Sequence, residues 1–278
     1  MPADRERIHP TAIIDPQAEL ADDVIVGAFA IIEGPVRLGR GCIVRSRAHL
    51  IGPLDAGIGN DFGINCVVGD RAQHLVYPDD PGSVEMGDFN VLREGVTIHR
   101  STPEGHATLL GSHNYLMANS HVAHDCTLGD HCIFANSAAI GGHSVIDDRA
   151  FLSGSTGVHQ FCRVGRITMI SAGAAIMSDA PPFAIIEGRN TIVGVNLIGL
   201  RRAGLASVQI NAIRRAYRVL IHSGLIVKQA VDRIERELGH IDVIAELVTY
   251  IRESKRGICL TRARRAAARD MSPGNLGR

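Results

Sequence analysis

The residues from Leu110 to Ala175 form eleven consecutive hexapeptides, each of which opens on an aliphatic residue or on Phe. The openers are Leu110, Leu116, Val122, Leu128, Phe134, Ile140, Ile146, Leu152, Val158, Val164 and Ile170. The fifth position of every hexapeptide is a small residue: Ala, Ser, Thr, Cys or Asn. An α-helix has a period near 3.6 residues and a flat strand a period of 2. A strict period of six therefore predicts short strands that are separated by corners and coiled into a solenoid.

The same period begins close to the start of the chain. Its apolar positions there are Ile8, Ile14, Leu20, Val26, Ile32, Leu38 and Val44. The period slips near Gly52 and returns at Met86, Leu92 and Ile98. Stacked coils bury a continuous aliphatic column and satisfy the backbone of each strand through the coils above and below it. We predict a repeat domain over residues 1–188 and a smaller helical domain over residues 189–278.

The repeat resembles the left-handed parallel β-helix of hexapeptide-repeat acyltransferases, in which three hexapeptides make one triangular coil. The left hand is implied by this resemblance and not by the spacing, because parallel crossovers are ordinarily right-handed. The predicted fold is mainly β, with a left-handed parallel β-helix of hexapeptide repeats followed by a small C-terminal α-helical domain.

Two segments interrupt the repeat. One lies near 70–83 and is rich in Pro and Asp, and the other lies near 101–108 and begins Ser-Thr-Pro-Glu-Gly. Loops that leave a rigid scaffold often carry function, and we expect this of the first loop. The second is equally consistent with a harmless surface insertion, which a solenoid tolerates at little cost.

The composition suits thin coils, with 45% hydrophobic residues, only 4% aromatic residues and no Trp in 278 residues. The amino terminus carries no targeting pattern, and no stretch approaches the roughly 20 apolar residues of a membrane span. We therefore expect a cytoplasmic protein without an integral membrane segment. Six cysteines lie at positions without paired spacing. Cysteines in the small fifth position of their hexapeptides are expected to be reduced core residues.

The C-terminal part has a helical period. Its first helix is expected from about Leu205, with an apolar face made of Val208, Ile213, Ala216, Leu220 and Ile221. Two more helices are predicted, at Val227–Leu238 and Asp242–Glu253. The chain has no net charge, yet residues 252–278 carry eight Lys or Arg against two acidic residues. We read the end of this basic tail as solvated, and expect an anionic partner for the polar face of the first helix, which includes Arg214 and Arg215.

Eight of the thirteen histidines lie within about sixty residues. They are His99, His106, His113, His121, His124, His131, His143 and His159. If three hexapeptides make one coil, residues 18 apart stack at the strand spacing of about 4.8 Å. The resulting columns are His124–Gly142–Gln160, Ala123–Gly141–His159 and Asp125–His143–Phe161. These columns predict a polar site around a pair of glycines, whereas His106, His113 and His131 are interpreted as solvated corner residues.

Such a patch suits acyl transfer to a hydroxyl or an amine. Neutral His124 is the candidate general base, since imidazole titrates near neutral pH. The backbone N–H of Gly142 is the candidate oxyanion donor, because a glycine lets a thioester carbonyl approach closely. Asp125 would orient His124 if the two residues sit near a corner. No Ser or Cys is obviously coupled to this base, so we expect the acceptor to attack directly.

A zinc site is the competing interpretation, because γ-class carbonic anhydrases also place histidines on a left-handed β-helix. In that family the zinc-binding histidines follow a His-x4-His spacing within one chain, with one further His. His121 and His124 are three residues apart, and neither this pair nor His143 reproduces the spacing. We therefore expect no metal and no cofactor.

Several short strings resemble a particular family. They are Ile-His-Pro-Thr-Ala-Ile at 8–13, Val-Thr-Ile-His-Arg at 96–100, Ala-His-Asp-Cys at 123–126, Val-His-Gln-Phe-Cys at 158–162, Gly-Val-Asn at 194–196 and Asn-Ala-Ile-Arg-Arg-Ala-Tyr at 211–217. Together they resemble the acyl-carrier-protein-dependent UDP-N-acetylglucosamine O-acyltransferases of lipid A biosynthesis. The resemblance runs from Ile8 to about Leu260.

This resemblance implies transfer of an R-3-hydroxyacyl chain from acyl carrier protein to the 3-hydroxyl of a nucleotide sugar, UDP-N-acetylglucosamine, with no nucleic acid partner. It implies a homotrimer with active sites between subunits. His124, Asp125 and Gly142 would be catalytic. The expected substrate-binding residues are Gln73, His74, His99, His121, His143, His159, Gln160, Asn196 and Arg202. Ala172 falls where the family sets acyl length, and Arg214 and Arg215 would contact the carrier protein.

The chain departs from the family pattern mainly at positions expected to recognise the acceptor. His74 and Val76 stand where Asp and Lys are usual, Ile198 where an acidic residue is common, Ala203 where a second Arg follows Arg202, and Asn190 where a His is found. Each lost charged hydrogen bond typically costs about 1.5–3 kcal/mol. Two alternatives therefore stay open: the same acyltransferase core acting on another amine or alcohol acceptor, and a zinc-binding or catalytically silent hexapeptide protein.

Overall fold

A computed structural model of the chain describes residues 7–75, 82–102 and 107–261. Short strands follow one another at nearly regular intervals. They are β1 (Ile13–Ile14), β2 (Glu19–Leu20), β3 (Ile25–Val26), β4 (Ile31–Glu33), β5 (Val36–Leu38), β6 (Ile43–Val44), β7 (His49–Ile51), β8 (Leu54–Ala56), β9 (Asp61–Phe62), β10 (Val67–Asp70), β11 (Ser83–Met86), β12 (Val91–Leu92), β13 (Thr97–His99), β14 (Ala107–Leu110), β15 (Tyr115–Leu116), β16 (His121–Val122), β17 (Thr127–Leu128), β18 (Ile133–Phe134), β19 (Ala139–Ile140), β20 (Val145–Ile146), β21 (Phe151–Leu152), β22 (Gly157–Val158), β23 (Arg163–Val164), β24 (Met169–Ile170), β25 (Ala175–Ile176), β26 (Ala184–Glu187) and β27 (Thr191–Val195).

Every third strand pairs with the next in parallel, so the chain winds around three sheets. Sheet I runs from β1 to β25, sheet II from β2 to β23, and sheet III from β3 through β24 to β26 and β27. From His121 to Ile176 each coil is three hexapeptides long, as in the pairing of His121 with Ala139 and of Ala139 with Gly157, and the last coil is two residues shorter, since Met169 pairs with Ile185. The predicted β-helix of hexapeptide repeats is confirmed.

The core is the aliphatic column that the repeat predicts. Phe134, Leu152 and Ile170 stack along sheet III with no exposed surface, and Cys132, Ala150 and Thr168 fill the small fifth positions beside them. The six cysteines are free and buried. The close-packed triangular coil accommodates large rings at only a few core positions, such as Phe62 and Phe134, in keeping with the scarcity of aromatic residues.

Corner residues between the strands adopt left-handed backbone conformations at intervals of six, for example Asp125 (φ 59°), His131 (φ 58°) and His143 (φ 59°). Because such a residue turns the chain from one sheet into the next, neighbouring side chains at a corner are not forced to opposite faces. This is the geometry that a contact between His124 and Asp125 requires.

The two interruptions lengthen individual coils. Val67 pairs with Thr97, which lies five hexapeptide lengths further along the chain, and Thr97 pairs with His121, four hexapeptide lengths further. The insertions leave the solenoid between β10 and β11 and between β13 and β14. Residues 76–81 and 103–106, and with them Val76 and His106, lie outside the described residues.

Four helices follow in the described part: α1 (Leu197–Arg202), α2 (Ser207–His222), α3 (Val227–Leu238) and α4 (Asp242–Arg252). None of them is long and apolar enough to cross a membrane. Helix α1 was not predicted, and the helices begin later than residue 189 because β27 pairs antiparallel with β26. The basic tail after Thr261 lies outside the described residues.

Helices α2 and α4 pack against the last coils of the solenoid. The hydroxyl of Tyr217 donates to the Pro182 carbonyl at 2.6 Å, and that of Tyr250 donates to the Ala180 carbonyl at 3.0 Å. The buried face of α2 includes Ile213 and Leu220 as predicted. Val208, however, is 68% exposed, because it lies seven residues, or about two helical turns, before exposed Arg215 and therefore on the solvent side of α2.

Candidate active site

The predicted histidine cluster surrounds the corner at which sheet I turns into sheet II, and we call it the His124 corner. His124 is only 6% exposed. Its Nδ1 lies 2.6 Å from Oδ2 of Asp125. An ionised carboxylate only accepts hydrogen bonds, so Nδ1 of neutral His124 carries the proton and Nε2 keeps its lone pair. Asp125 thereby selects the tautomer that a general base needs.

Asp125 is itself held by two threonines. The backbone N–H of Thr102 donates to Oδ1, and its hydroxyl donates to Oδ2, each at 3.1 Å. The Asp125 N–H donates to the Thr108 hydroxyl at 2.9 Å. Sequence spacing missed both threonines, since they belong to the 101–108 loop that was equally consistent with a harmless insertion. The position of that loop in the coil just before Asp125 was the available signal.

Gly142 lies one coil above His124. A Cβ at Gly142 would meet Cε1 of His124 at 2.6 Å and Nε2 at 2.7 Å, so only glycine fits beside this imidazole. The neighbouring Gly141 and His143 donate backbone hydrogen bonds to Val158 and His124. Within the described residues the N–H of Gly142 has no such acceptor. A free donor therefore lies close to the free nitrogen of the candidate base.

Two more histidines approach from sheet I. The hydroxyl of Thr97 lies 2.7 Å from Nδ1 of His121, and the rings of His99 and His121 meet edge to face at 5.2 Å. Nδ1 of His99 bonds the backbone carbonyl of Arg71. Burial, together with nearby His99 and His124, lowers the pKa of His121 to about 4. Burial also lowers the pKa of His99, so both rings are neutral at neutral pH.

The open side of the corner forms a cavity of about 420 Å³. Its polar lining comes from Gln73, His121, His124, Gly142, His159 and Gln160. Two further predicted residues flank His124: the rings of His74 and His143 meet its ring edge to face at 5.8 and 5.3 Å. His143 also stacks on Phe161 at 4.5 Å. The structure thus brings together most of the residues that were predicted around the base.

Asn196 and Arg202 lie elsewhere in the chain. They line a cavity of about 680 Å³ on the outer face of sheet III. Asn196 caps α1, with Oδ1 accepting from the Gly199 N–H at 2.9 Å and Nδ2 donating to the Ile167 carbonyl at 2.8 Å. Because the His124 corner joins sheets I and II, one chain does not bring these residues to His124.

The remaining predicted residues line neither cavity. Ala172 is exposed at the corner between sheets III and I. Arg214 and Arg215 are exposed on α2, on the side away from its buried face. All three are accessible on the surface of a single chain.

The competing zinc interpretation has a possible ligand set in His124, Asp125 and His143, whose ligand atoms lie within 4.8 Å of one another. Nδ1 of His124 and Oδ2 of Asp125 are already in direct hydrogen-bond contact, which leaves no room for an ion between them. Oδ1 of Asp125 is occupied by Thr102. This donor set fits a proton relay better than a metal site.

Comparison with known proteins places the chain in a family. Residues 179–259 match the model described as Udp N-acetylglucosamine O-acyltransferase, domain 2, and residues 107–142 match that of the bacterial transferase hexapeptide. The chain is 39% identical to an acyl-[acyl-carrier-protein]–UDP-N-acetylglucosamine O-acyltransferase from Halorhodospira halophila, over 91% of this chain and 98% of that protein. An equally named protein from Syntrophobacter fumaroxidans is 40% identical, over 91% and 99% of the two chains.

Solved structures agree with these relatives. The UDP-N-acetylglucosamine acyltransferase of Francisella novicida superposes with a TM-score of 0.88 at 33% identity, over 92% of this chain and 94% of that one. LpxA of Bacteroides fragilis, a UDP-N-acetylglucosamine acyltransferase, superposes with a TM-score of 0.87 at 37% identity, over 90% and 99%. The left-handed β-helix and small helical C-terminal part are confirmed. The chain belongs to the acyl-[acyl-carrier-protein]–UDP-N-acetylglucosamine O-acyltransferase family.

Proposed function

We propose that this protein transfers an R-3-hydroxyacyl chain from acyl carrier protein to the 3-hydroxyl of UDP-N-acetylglucosamine, the first step of lipid A biosynthesis. The observation that carries the proposal is the pairing of an oriented base with a free donor. Nε2 of His124 has its lone pair available because Asp125 holds the proton on Nδ1. The Gly142 N–H is within the same small cavity.

In the proposed reaction, Nε2 of His124 accepts the proton of the sugar hydroxyl as its oxygen attacks the thioester carbonyl carbon. Negative charge moves to the carbonyl oxygen, which the Gly142 N–H stabilises. As the carbon–sulfur bond breaks, the imidazolium of His124 returns its proton to the departing thiolate. Asp125 stabilises the transient imidazolium, so the carboxylate need not become protonated.

The acceptor attacks directly in this scheme, since the available side chains are poor nucleophiles. Burial raises the pKa of the Cys126 thiol to about 12, and its sulfur donates to the Gly141 carbonyl. The Ser144 hydroxyl donates to the same carbonyl at 2.6 Å. Neither group is directed to His124, so a covalent acyl-enzyme has no evident nucleophile in this part of the molecule.

The residues around His124 are proposed to bind the sugar. These are Gln73, His74, His99, His121, His143, His159 and Gln160. Neutral imidazoles suit hydroxyl groups, because each offers one donor and one acceptor. Exposed Arg214 and Arg215 on α2 are proposed to meet the acidic carrier protein in the cytoplasm. Ala172 is proposed to admit a long acyl chain.

Asn196 and Arg202 are proposed to hold the nucleotide from a neighbouring subunit of a homotrimer. The support is their separation: they line a cavity on sheet III, whereas the His124 cavity opens beside sheet I. In a cyclic trimer each surface of one chain can face a different surface of the next. A homotrimer would then contain three equivalent active sites, each between two neighbouring subunits.

A 3-amino analogue of the same nucleotide sugar is a second candidate acceptor. The observation that favours it is the ring of His74, 5.8 Å from that of His124, at a position where related sequences usually carry Asp. A histidine in place of the carboxylate removes a negative charge that would favour the protonated, non-nucleophilic form of an amine acceptor. Exchange of the acceptor leaves the roles of His124, Asp125 and Gly142 unchanged.

The test is an acyl-transfer assay. Purified protein is incubated with R-3-hydroxyacyl carrier proteins of several lengths and with UDP-N-acetylglucosamine or its 3-amino analogue, and acylated nucleotide is detected by mass spectrometry. We expect product with wild type and at least an about 10²-fold loss in His124→Ala. His240→Ala, at an exposed histidine of the helical part that lines neither cavity, is the control. Product that persists in His124→Ala contradicts the proposal, as does no product with either acceptor.

Complementation tests the shared site. His124→Ala and Arg202→Ala chains are purified separately, mixed under conditions that exchange subunits, and assayed again at an acceptor concentration near the wild-type KM, where loss of Arg202 is expected to reduce activity strongly. If each site takes His124 from one chain and Arg202 from its neighbour, random exchange leaves about a quarter of the sites intact. Activity that stays at the level of the two separate variants after exchange would mean that one chain supplies both residues.

A further inference from the structure

The cavity on sheet III has a distinctive composition, and we call it the arginine groove. Its floor is apolar and is made by the outward residues of three strands, Ile133, Phe151 and Met169. Its cationic residues come from two separate parts of the fold. His131 and Arg149 belong to the corner between sheets II and III, and Arg201 and Arg202 end helix α1. Within its lining there is no Asp or Glu.

The three guanidinium groups of the groove lack counter-charges. Arginines elsewhere on the surface lie against carboxylates: Arg37 bonds Asp55 at 2.9 Å, and Arg252 bonds Glu235 at 2.6 Å. Over the described ranges, Arg149, Arg201 and Arg202 have no hydrogen bond or ion pair through their side chains. Like charges gathered in a concave surface produce a positive potential that attracts an anion.

The corner that carries Arg149 continues the regular stacking of the coils. Its rings stack in the coils below: His113 on Phe89 at 5.2 Å, and His131 on His113 at 4.9 Å with an angle of 6° between the planes. The Arg149 N–H donates to the Asp130 carbonyl at 2.8 Å, which continues the same register. The backbone of Arg149 is therefore fixed by the solenoid, and its side chain is presented next to the apolar floor.

The combination of floor and charges indicates the chemistry of the ligand. A volume of about 680 Å³ falls within the range of small-molecule sites. Phe151 offers a ring to a planar heterocycle, and guanidinium groups bind phosphate oxygens with paired hydrogen bonds. A nucleoside diphosphate supplies both a planar base and two adjacent phosphates. An acidic protein segment would suit the charges but would not use a concave apolar floor.

We infer that Arg149 and Arg201 act with Arg202 as a clamp for the diphosphate of the nucleotide, while the base lies over Phe151. This inference rests on the proposed function in that the nucleotide is the UDP moiety of the acyl acceptor. It adds two binding residues, Arg149 and Arg201. Neither touches the reacting atoms, so their contribution is to acceptor affinity and not to the chemical step.

The experiment measures binding of UDP, UMP and uridine to the full-length protein by titration calorimetry. Arg149→Gln and Arg201→Gln should each weaken UDP binding about 10-fold, because a charge-assisted hydrogen bond is lost, and should leave uridine binding unchanged. Arg149→Lys should restore part of the affinity. Arg40→Gln is the matched control, since Arg40 is exposed on the same edge of the solenoid several coils away. Circular dichroism verifies that each variant is folded.

The acyl-transfer assay separates this inference from the proposed function. We expect KM for the acceptor to rise in Arg149→Gln while kcat at saturation is retained. If wild type makes acylated nucleotide but Arg149→Gln and Arg201→Gln bind UDP as Arg40→Gln does, the clamp is wrong and the acyltransferase stands. If UDP binds through these arginines but wild type makes no product, the clamp stands and the proposed reaction is wrong. Failure of wild type to bind UDP overturns the clamp.

Discussion

The His124 corner and the arginine groove differ in how the fold brings their residues together. The corner is built from one stack of coils, because the columns through His124 and Asp125 repeat once per coil of three hexapeptides. The groove joins a solenoid face to a short helix that follows the last strand, so Arg149 and Arg202 meet only through the tertiary fold. A periodic scaffold therefore supplies a rigid constellation for the proposed catalysis, while its irregular end adds the residues that we propose for binding.

The two regions also differ in charge. The corner buries neutral imidazoles around one carboxylate, and Asp125 is satisfied by Thr102, Thr108 and His124. The groove presents cations that have no carboxylate in its lining. A buried neutral base suits proton transfer, and exposed cations suit an anionic ligand. Substitutions in the corner should therefore change kcat, and substitutions in the groove should change KM.

Gly142→Ala should give the largest effect on the corner. Its Cβ would lie 2.6 Å from the His124 ring, and the ring must move away from the donor. We expect kcat to fall by about 10²- to 10³-fold, the usual cost of a lost oxyanion donor, with the melting temperature little changed. Gly194→Ala is the control, because a Cβ there meets nothing within 4 Å. Equal kcat values for Gly142→Ala and wild type would remove Gly142 from the mechanism.

The fold and the His124 corner could be predicted from the sequence because both follow from a period. Once residues three hexapeptides apart are stacked, His124, Gly142 and Gln160 have to be neighbours. Thr102 and Thr108 could not be placed in this way, since the 101–108 insertion shifts the register by one hexapeptide length before Asp125. The departure from strict repetition, and not the repetition, positions Thr102, which donates to the carboxylate, and Thr108, which accepts from the Asp125 backbone N–H.

The groove could be predicted only in part. Asn196 and Arg202 were expected from a family resemblance, but helix α1 has six residues and is too short to show a helical period. Arg149 occupies an ordinary corner position of its hexapeptide, and its neighbours on α1 are set by the antiparallel turn from β26 to β27. The repeat period predicts which coils stack, but it does not predict that helix α1 lies next to the corner that carries Arg149.

Arg202→Gln tests the groove side of the comparison. Loss of one charged hydrogen bond typically costs about 1.5–3 kcal/mol, so we expect KM for the nucleotide sugar to rise by about 10- to 10²-fold. At saturating acceptor, kcat should stay within about twofold of wild type. Steady-state kinetics over a range of acceptor concentrations separates the two constants. A fall in kcat with KM unchanged would place Arg202 in the chemical step. The assignment of kcat effects to the corner and of KM effects to the groove would then be wrong.

His121→Gln tests the neutral imidazoles of the corner through pH. Burial lowers the folded pKa of His121 to about 4, below its usual value, so the folded state resists protonation. Its contribution to stability is complete above pH 6.5 and is lost as the pH falls from 6.5 to 4. Urea unfolding at pH 7 and pH 4 should show that wild type loses about 2 kcal/mol more than the variant. His240→Gln, at an exposed histidine, should lose stability in parallel with wild type.

Asp147→Asn makes the corresponding test beside the groove, two residues before Arg149. Burial raises the folded pKa of Asp147 to about 6; Glu246 and Asp148 oppose its ionisation, and Arg163 and Arg166 favour it. Because the unfolded carboxyl ionises near 3.8, wild type loses stability as the pH rises from 3.8 to 6 and does not recover it above 6. The variant should be more stable than wild type by about 1–2 kcal/mol at pH 8 and equal to it below pH 4.

Urea unfolding at these two pH values checks the prediction, with Asp22→Asn, at an exposed carboxylate in an early coil, as the control. The expected gain is smaller than the other effects, because Arg163 and Arg166 already offset part of the cost of the buried charge. A loss of stability at pH 8 would mean that ionised Asp147 holds these arginines in place between solenoid and α4. In that case the edge of the groove, like the His124 corner, would depend on a buried carboxylate, and the contrast in charge between the two regions would be confined to their surfaces.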